Sequence, residues 1–396
     1  MGRERPRILV TVGTRPEAIK MAPVLQALRR RDALLESRLA LTGQHTDMVD
    51  QVLDAFRLVP DYDLDIMRPG QTLYDVAHEC LDGLNEVLTD FRPHMVLVQG
   101  DTASVFFSSL VGFFEKTRVG HVEAGLRSGD KWAPFPEEVF RRLADVLTDF
   151  YFAPTSRARA NLLREGVPSR SIHVTGNTVV DALLDTARRG EAPQEPRLRR
   201  VLDRDGPLVL LTAHRRESFG EPLRRVFRAV LELVERREDV EVLYPVHPNP
   251  RVREPAMEML SGHPRVHLTE PLGYGALVQV LARASLVLTD SGGIQEEAPT
   301  FGARVLVLRE VTERPEGVEA GVARLVGTDS GLIVRGALEI LRERDERGGG
   351  SGARNGPPGP DSRNPYGDGR AGERIADILL ASLTDRPRET MDWQGP

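Results

Sequence analysis

Short apolar runs alternate with amphipathic stretches along the first half of the sequence, and this alternation restricts the possible folds more than any other feature. The apolar runs have the length typical of buried strands, and they occupy residues 7–12, 37–42, 95–99, 119–122, 151–153 and 172–175. The stretches between them, such as 15–30 and 72–90, carry apolar residues at helical spacing. Alternation of this kind predicts βαβ units, a mainly parallel sheet and helices on both of its faces.

The alternation stops near residues 181–207 and then starts again, which predicts a second domain of the same class. The later strands are predicted at 208–212, 240–246, 265–268, 285–289, 304–308 and 323–326. We therefore predict an α/β protein with two Rossmann-like, doubly wound domains facing across a cleft, because such sheets bind ligands beyond the carboxyl ends of their strands. The predicted bounds are 1–185 and 200–342 for the domains, 343–367 for a flexible loop and 368–385 for a C-terminal helix, after which the chain should be frayed.

Composition argues against several classes of partner and site. The 396 residues carry a formal net charge of −6, so no general attraction to nucleic acid or to an anionic membrane is expected. The first apolar run is too short for a signal peptide, and no later run approaches the length of a membrane span, which predicts a cytoplasmic protein. Cys80 is the one cysteine, which excludes an internal disulfide, and helical spacing around it predicts a small core residue. No spacing typical of a metal site occurs, so we expect no metal and no cofactor.

The segment 285–314 contains the strongest candidate binding site. A predicted strand ends in the Asp-Ser-Gly-Gly turn at 290–293, and helix-compatible residues follow directly. The glycines let a ligand approach the backbone, and the N–H groups at a helix start favour an anion. Arg314 can reach the same anion, while Glu297 suits the hydroxyls of an attached ribose. The pattern indicates a diphosphate site, and a plain strand-to-helix turn with an N-cap residue is the alternative.

A second candidate anion site follows the first strand. Residues Thr14 to Glu17 fit a capping box, with Thr14 as the N-cap and Glu17 three residues later. Arg15 and Lys20 then lie at or near the start of the predicted helix, where both side chains suit a phosphate group. For each of them, a solvent-exposed side chain without a ligand is the alternative.

Acidic residues stand where an α/β site needs them. Asp101 and Glu123 each come directly after a predicted strand, and Glu137 and Glu138 open a later helix. A single acid in such a place can equally be a helix cap or the partner of an arginine, but three together are typical of an acid–base site. We take Glu138 as the structural member of its pair. His214, after the strand at 208–212, can donate a hydrogen bond or a proton to a leaving phosphate.

Collinear motifs between about residue 7 and residue 380 resemble one family, the non-hydrolysing UDP-N-acetylglucosamine 2-epimerases. No single motif carries the resemblance, and its extent makes it specific. The matching stretches are GTRPEAIKMAPV, TGQHTDMVDQVL, QGDTAS, GHVEAGLRSGD, PFPEEVFRR, TGNTVVDALL, TAHRRESFG, YPVHPNP, LTDSGGIQEEAP, TERPEGVEAG and NPYGDG.

The resemblance implies a fold, a reaction and a set of residue roles. The fold is the GT-B arrangement of two Rossmann-like domains in a homodimer. The reaction interconverts UDP-GlcNAc and UDP-ManNAc, by elimination and re-addition of UDP through a 2-acetamidoglucal, with a place in polysaccharide biosynthesis. The implied catalytic residues are Asp101, Glu123, Glu137 and His214. The implied UDP-binding residues are Arg15, Lys20, Ser291, Gly292, Gly293, Glu297 and Arg314. The positions that resemble the site of a second, activating UDP-GlcNAc in some bacterial members are Gln44, His45, Arg215, Glu217 and His247.

Four other functions are weighed against this one. A GT-B glycosyltransferase needs an acceptor cleft with one base, whereas three acids are present here. A hydrolysing 2-epimerase would release free ManNAc, and such relatives lack the Pro-Glu-Glu segment found at 136–138. A non-catalytic sensor of nucleotide sugars would be expected to have lost some of the acids. An epimerase for a modified UDP-sugar is the fourth, because Phe140 stands where family members usually have Asn and would reshape the sugar pocket.

Overall fold

The chain folds into two compact units. The structure is a computed structural model that describes residues 5–43, 47–66, 68, 70–190, 195–346 and 364–395. Unit 1 comprises Met1–Ala182 and Tyr366–Gly395, and unit 2 comprises Leu183–Pro365. The C-terminal segment therefore belongs to the first unit, which no local pattern in the sequence indicated.

Unit 1 is built on a parallel sheet of seven strands. Their spatial order is β3-β2-β1-β4-β5-β6-β7, so the order reverses between β1 and β4. The strands are β1 (Arg7–Val12), β2 (Glu36–Leu41), β3 (Tyr62–Asp63), β4 (Met95–Gln99), β5 (Arg118–Val122), β6 (Phe150–Ala153) and β7 (Ile172–Val174). The helices are α1 (Arg15–Arg29), α2 (Asp47–Phe56), α3 (Leu73–Phe91), α4 (Ala103–Phe114), α5 (Glu137–Leu147), α6 (Ser156–Arg164) and α7 (Thr178–Arg189), which contains the boundary between the units.

Unit 2 repeats the same architecture with six parallel strands. Their order is β10-β9-β8-β11-β12-β13, with the reversal between β8 and β11. The strands are β8 (Leu208–Thr212), β9 (Glu241–Pro245), β10 (Val266–Thr269), β11 (Ala284–Thr289), β12 (Arg304–Val307) and β13 (Ala323–Leu325). The helices are α8 (Pro196–Leu202), α9 (Glu221–Arg236), α10 (Pro250–Leu260), α11 (Tyr274–Arg283), α12 (Gly292–Glu297), α13 (Pro315–Glu319) and α14 (Ser330–Glu346). The last helix of the chain, α15 (Ala371–Leu383), returns to unit 1.

The α/β fold with two doubly wound sheets confirms the predicted fold class. Every predicted strand is found, with each end within one residue of the prediction, and only the two-residue strand β3 was missed. A parallel strand covered by helices on both faces is buried on both sides, so its sequence is a continuous apolar run. The residues of β8 from Leu208 to Leu211 illustrate this, since all four are at most 1% exposed. Cys80 is buried in the core of unit 1, as predicted, and burial raises the pKa of its thiol to about 12.

Two predictions about the C-terminal region need correction. The loop predicted at 343–367 begins too early and ends too late: Glu343 to Glu346 are helical, and Tyr366 is buried. The chain after α15 is not frayed. The Asp377 carboxylate accepts hydrogen bonds from the backbone N–H groups of Glu389 and Thr390, at 2.9 and 2.6 Å. Beyond them, Trp393 N donates to the Val174 carbonyl of β7 at 2.8 Å. A sheet edge offers unpaired backbone groups, so a polar tail without any periodicity is ordered by pairing with it.

Candidate active site

Two carboxylates follow neighbouring strands at the carboxyl edge of the unit 1 sheet. β4 and β5 pair in parallel, and Asp101 lies two residues after the end of β4, while Glu123 comes directly after β5. Glu123 is 7% exposed and has a φ of 69°. This left-handed conformation costs a residue other than glycine about 1–3 kcal/mol. The fold therefore maintains backbone strain at a residue predicted to be catalytic.

The Glu123 carboxylate is held by a lysine and a glutamine. The Nζ atom of Lys20 lies 2.8 Å from Oε1 and 2.6 Å from Oε2 of Glu123. The Gln99 side-chain amide donates to the same Oε2. An ammonium group at this distance favours the charged form of a carboxyl group. The sequence suggested a phosphate as the partner of Lys20, whereas the structure places its ammonium on an acid.

Arg141 of α5 connects Asp101 with Glu138. Its guanidinium donates to Asp101 Oδ2 and, at 3.1 Å, to Glu138 Oε2. Glu138 is 1% exposed and also accepts from the backbone N–H groups of Ser128 and Gly129, at 3.0 and 3.4 Å. These contacts confirm the structural role predicted for Glu138, because it fixes both Arg141 and the loop that precedes α5.

Glu137 differs from the other two predicted acids. Its Oε2 atom is buried and finds no hydrogen-bond partner within the described part of the chain. Asp101 and Glu123, by contrast, each have a basic partner.

Glu17 is a further buried carboxyl group at this edge, and sequence reasoning gave it the wrong role. It accepts from Gly13 N at 2.6 Å, Thr14 Oγ1 at 3.0 Å and Thr102 Oγ1 at 2.7 Å. These bonds join the turns after β1 and β4, where the strand order reverses. Burial, with a smaller contribution from the charge of Asp101, raises the pKa of Glu17 despite these hydrogen bonds.

The predicted capping box is therefore wrong. Thr14 is the N-cap residue of α1, but its hydroxyl accepts no bond from the helix backbone and donates to Glu17 instead. Thr14 and Glu17 are three residues apart both in a capping box and in the arrangement observed here. A local pattern could not have distinguished them, because the decisive partner, Thr102, is distant in sequence.

In unit 2, a buried aspartate joins the turns after the two central strands. Asp290 follows β11, and its Oδ2 accepts from the backbone N–H groups of His214 and Arg215, both at 2.8 Å. His214 Nδ1 lies 3.3 Å from Asp290 Oδ1, and 41% of the histidine side chain remains exposed. This is a charge-pair distance without hydrogen-bond geometry, since Asp290 Oδ1 finds no hydrogen-bond partner among the described residues.

The predicted diphosphate turn follows Asp290 directly. Ser291 is the N-cap residue of α12, and a Cβ atom added at Gly292 would meet nothing within 4 Å. The glycine therefore leaves open space beside the backbone. The Ser291 carbonyl accepts from Gln295 Nε2 at 3.2 Å, and Gln295 Oε1 accepts from Thr312 Oγ1 at 2.6 Å. These bonds fix the loop that carries Arg314 against α12.

Arg314 pairs with a glutamate that the sequence did not single out. Its Nε donates to Oε1 of Glu296, which is 3% exposed. Glu297, the predicted ribose ligand, is the next residue on α12 and is only partly buried. Successive helical residues point about 100° apart, so the two carboxylates of this Glu-Glu pair point in different directions.

Two positions predicted to bind an activating nucleotide sugar belong to one ion cluster. Glu217 Oε1 lies 3.1 Å from Arg309 Nε, and Arg215 Nη1 lies 4.0 Å from Glu313 Oε1. Arg309 and Glu313 also pair at 2.9 Å. Sequence reasoning missed Arg309, which has no motif of its own.

Four other residues were predicted to bind UDP or the activating nucleotide sugar. His247 stacks on His214 with ring centroids 5.6 Å apart, and its Nδ1 accepts from the Asn249 backbone. Arg15 is the first residue of α1 and is half-buried. Gln44 and His45 lie outside the described residues.

Phe140 has a packing role. Its ring stacks on Phe106 of α4, with centroids 5.4 Å apart and planes 8° apart, and meets Phe107 edge-on at 6.2 Å. The aromatic contact joins α5 to α4. The departure from the family pattern at this position is therefore explained by the contact between two helices.

Neither a metal cluster nor a membrane span is found in the described ranges. No group of three or more histidine, cysteine, aspartate or glutamate side chains there could hold a metal ion. No helix of those ranges is both long and apolar enough to cross a membrane.

Comparison with known proteins supports a single family. The family model described as UDP-N-acetylglucosamine 2-epimerase matches residues 26–380. A Bacillus subtilis protein named UDP-N-acetylglucosamine 2-epimerase is 47% identical over 391 residues, covering 98% of this chain and 99% of the relative. The structure of the Neisseria meningitidis UDP-GlcNAc 2-epimerase bound to UDP-GlcNAc is similar with a TM-score of 0.81, at 40% identity over 95% of this chain and 100% of that one. The S. aureus MnaA–UDP co-structure has a TM-score of 0.82, at 43% identity over 98% and 100% of the two chains.

Proposed function

The chain belongs to the non-hydrolysing UDP-N-acetylglucosamine 2-epimerase family, and from this premise we propose that it interconverts UDP-GlcNAc and UDP-ManNAc by eliminating UDP and adding it back. The mechanism is inferred from a difference among the acidic residues of unit 1, namely whether each has a basic partner. Asp101 and Glu123 each have a basic partner, while the buried Oε2 of Glu137 has none within the described ranges. One site therefore offers both proton acceptors and a proton donor.

The chemistry of the substrate explains why the site needs these groups. The C2–H bond beside the anomeric carbon is not acidic, so its proton leaves only as the C1–O bond breaks and positive charge develops on the ring. The departing UDP then needs stabilisation of its negative charge. Proton transfer on opposite faces of C2 needs two positioned groups, because inversion requires a proton to leave one face and return to the other.

The contacts suggest a division of the proton-transfer roles. Glu123, with Lys20 on both carboxylate oxygens, and Asp101, with Arg141, are maintained as carboxylates and serve as bases. Glu137 carries the proton that is returned to the sugar. The matched pair of variants Glu137→Gln and Glu138→Gln tests this division. Glu137→Gln should lower turnover with normal folding, whereas Glu138→Gln should chiefly lower stability, since Glu138 holds two backbone N–H groups and Arg141.

The residues of unit 2 are proposed to bind and release UDP. Arg314 and the backbone of Ser291, Gly292 and Gly293 hold the diphosphate, and Glu297 binds the ribose hydroxyls. His214, with its backbone N–H bonded to Asp290, donates a hydrogen bond or a proton to the departing phosphate. Two relatives of similar fold carry UDP or UDP-GlcNAc in their structures, which supports this ligand class. Arg15, predicted from the sequence to bind a phosphate, is proposed as a further ligand of the diphosphate.

Isotope exchange tests the proposed reaction. Purified protein incubated with UDP-GlcNAc in deuterated water should yield both epimers with deuterium at C2 and little free UDP. Mass spectrometry and proton NMR resolve these products. Free ManNAc formed in step with UDP would instead indicate hydrolysis, and epimerisation without deuterium uptake would refute proton transfer at C2. A glycosyltransferase would leave the sugar unepimerised.

A second copy of the chain is the proposed partner. Neighbouring helices α4 and α5 expose Phe113, Phe114, Leu143 and Val146, with 60%, 60%, 41% and 78% of their surface accessible. Apolar side chains of this size on adjacent helices are typical of a surface that another protein covers. In the homodimer implied by the family resemblance, the second subunit covers this surface.

The location in the cytoplasm stays a prediction. Regulation by a second UDP-GlcNAc also stays a prediction. Arg215, Glu217 and His247 lie close to His214, where a second ligand could alter the departure of UDP. Sigmoidal dependence of the rate on UDP-GlcNAc, abolished in Glu217→Gln, would support this regulation. A hyperbolic dependence in the unmodified protein would contradict it.

A further inference from the structure

His121 is a buried histidine to which the proposed reaction assigns no role. It lies on β5, two residues before Glu123, and is 1% exposed. Its ring contacts groups on two other segments. The Nε2 atom lies 2.8 Å from the Gly100 carbonyl oxygen, and the Nδ1 atom lies 2.7 Å from Asp145 Oδ1 on α5.

The partners of the two ring nitrogens define the orientation of His121. The Gly100 carbonyl can only accept a hydrogen bond, so Nε2 must carry a hydrogen. Asp145 holds the ring through Nδ1 and is itself held, since its Oδ2 accepts from Arg127 Nη2 at 2.7 Å and from the Gly125 backbone at 3.3 Å. The Nε2–H group of His121 is therefore directed at the Gly100 carbonyl.

Asp145, which holds the His121 ring, is fixed by groups from other segments. Asp145 on α5 pairs with Arg127 in the loop after β5, and Arg127 also pairs with Glu165 at the end of α6, at 2.6 Å. The Tyr151 hydroxyl of β6 donates to the Asp145 carbonyl at 2.7 Å. The ring is therefore supported by contacts that tie α5 to β5, β6 and α6.

The bond from His121 to Gly100 joins the two strands that carry catalytic acids. Gly100 immediately precedes Asp101 after β4, and His121 lies on β5 just before Glu123. We propose that His121 is a positioning residue that fixes Asp101 relative to Glu123 by donating from Nε2 to the Gly100 carbonyl. The inference rests on the proposed function, because a fixed spacing of the two bases matters only if both act at the same sugar carbon.

Nitrogen NMR tests this hydrogen bond in the unmodified protein. Spectra of protein labelled with 15N-histidine should show a hydrogen on Nε2 of His121 that is protected from exchange with water. The signals are assigned by their loss in His121→Asn. His173 on β7 of the same sheet is the matched control for this assignment, since its signals should be unchanged in that variant. A His121 ring without a hydrogen on Nε2 would overturn the inference, whatever the activity of the protein.

Kinetics of three variants test the positioning role. His121→Asn should lower kcat about 100-fold, the effect of roughly 1 Å of misplacement, with KM and UDP affinity little changed. In Asp145→Asn, the new amide can still hold Nδ1, so that Nε2 keeps its hydrogen bond to Gly100. This variant should therefore keep kcat within about threefold of the unmodified protein and keep the hydrogen on Nε2. His173→Asn should have unchanged kinetics.

The outcomes separate this inference from the proposed function. If the unmodified protein does not exchange deuterium at C2, the proposed function fails, and the NMR result for His121 still stands alone. If the unmodified protein epimerises and a folded His121→Asn keeps its kcat within about threefold, the positioning role is refuted. An equal loss of kcat in Asp145→Asn and His121→Asn would also refute it, because only the second variant removes the bond to Gly100. Should His121→Asn fail to fold, the NMR spectra and Asp145→Asn remain decisive.

Discussion

Replacing Lys20 by methionine distinguishes two roles for this lysine. The sequence pattern assigns Lys20 to a phosphate, whereas the structure places its ammonium within 2.8 Å of both Glu123 carboxylate oxygens. Methionine keeps much of the length of the side chain and removes its charge. Glu123 would then keep the Gln99 amide as a donor, but it would lose the cation that favours its carboxylate form.

The expected size of the effect follows from burial. The Lys20 side chain is 18% exposed and that of Glu123 is 5% exposed. An adjacent opposite charge typically moves the pKa of a carboxyl group by about 1–3 units, or roughly 1.4–4 kcal/mol. Because Lys20 stabilises the charged base, its loss should move the acidic limb of the pH–rate profile upward by a shift of this size. The free energy of unfolding at neutral pH should fall by a similar amount.

The assay is the pH dependence of kcat/KM for epimerisation, measured by NMR together with UDP affinity by calorimetry. In Lys20→Met, the acidic limb should move upward while UDP affinity changes little. Lys116→Met is the matched control, since this exposed lysine lies between α4 and the start of β5, at the edge of the sheet opposite the carboxyl-edge turns. A loss of UDP affinity of about tenfold or more, with an unmoved acidic limb, would refute the role inferred from the structure and support the phosphate ligand.

Three further changes have defined outcomes. Asp101→Asn or Glu123→Gln should abolish turnover and leave UDP binding intact by calorimetry, and near-normal turnover in either variant would show that its acid has been assigned a wrong role. Burial raises the pKa of Asp181 from 3.8 to about 7. The folded state therefore holds a proton that the unfolded chain releases, and this group alone lowers stability by roughly 4 kcal/mol as the pH rises from about 4 to about 7. Urea midpoints across that range should fall less in Asp181→Asn than in the unmodified protein, and parallel curves would contradict this. Phe113→Ser with Val146→Asp should convert a dimer to a monomer in sedimentation, whereas an unchanged mass would place the interface elsewhere.

Two histidines of one sheet show why the surroundings of a buried side chain could not be predicted from the sequence. His121 on β5 and His173 on β7 both lie in short apolar strands. The first contacts a carboxylate and a carbonyl oxygen, while the second stacks on the rings of Phe150 and Phe152. None of these partners is a neighbour in sequence. A strand pattern records that a residue is buried, but it does not record the chemistry of its surroundings.

The sequence alone determined the sheets, the turns and the family. Buried parallel strands need continuous apolar runs, and ligand-binding turns need glycine and acidic residues soon after those runs. Both requirements produce local sequence patterns that can be recognised without knowledge of the fold. Only the tertiary structure decided which side chains meet: Lys20 with Glu123, Glu17 with Thr102, Arg314 with Glu296, and the C-terminal tail with β7. The physical reason is that strands adjacent in a doubly wound sheet can be far apart in sequence. The charge and strength of each contact depend on distances and burial that arise only when those strands pair.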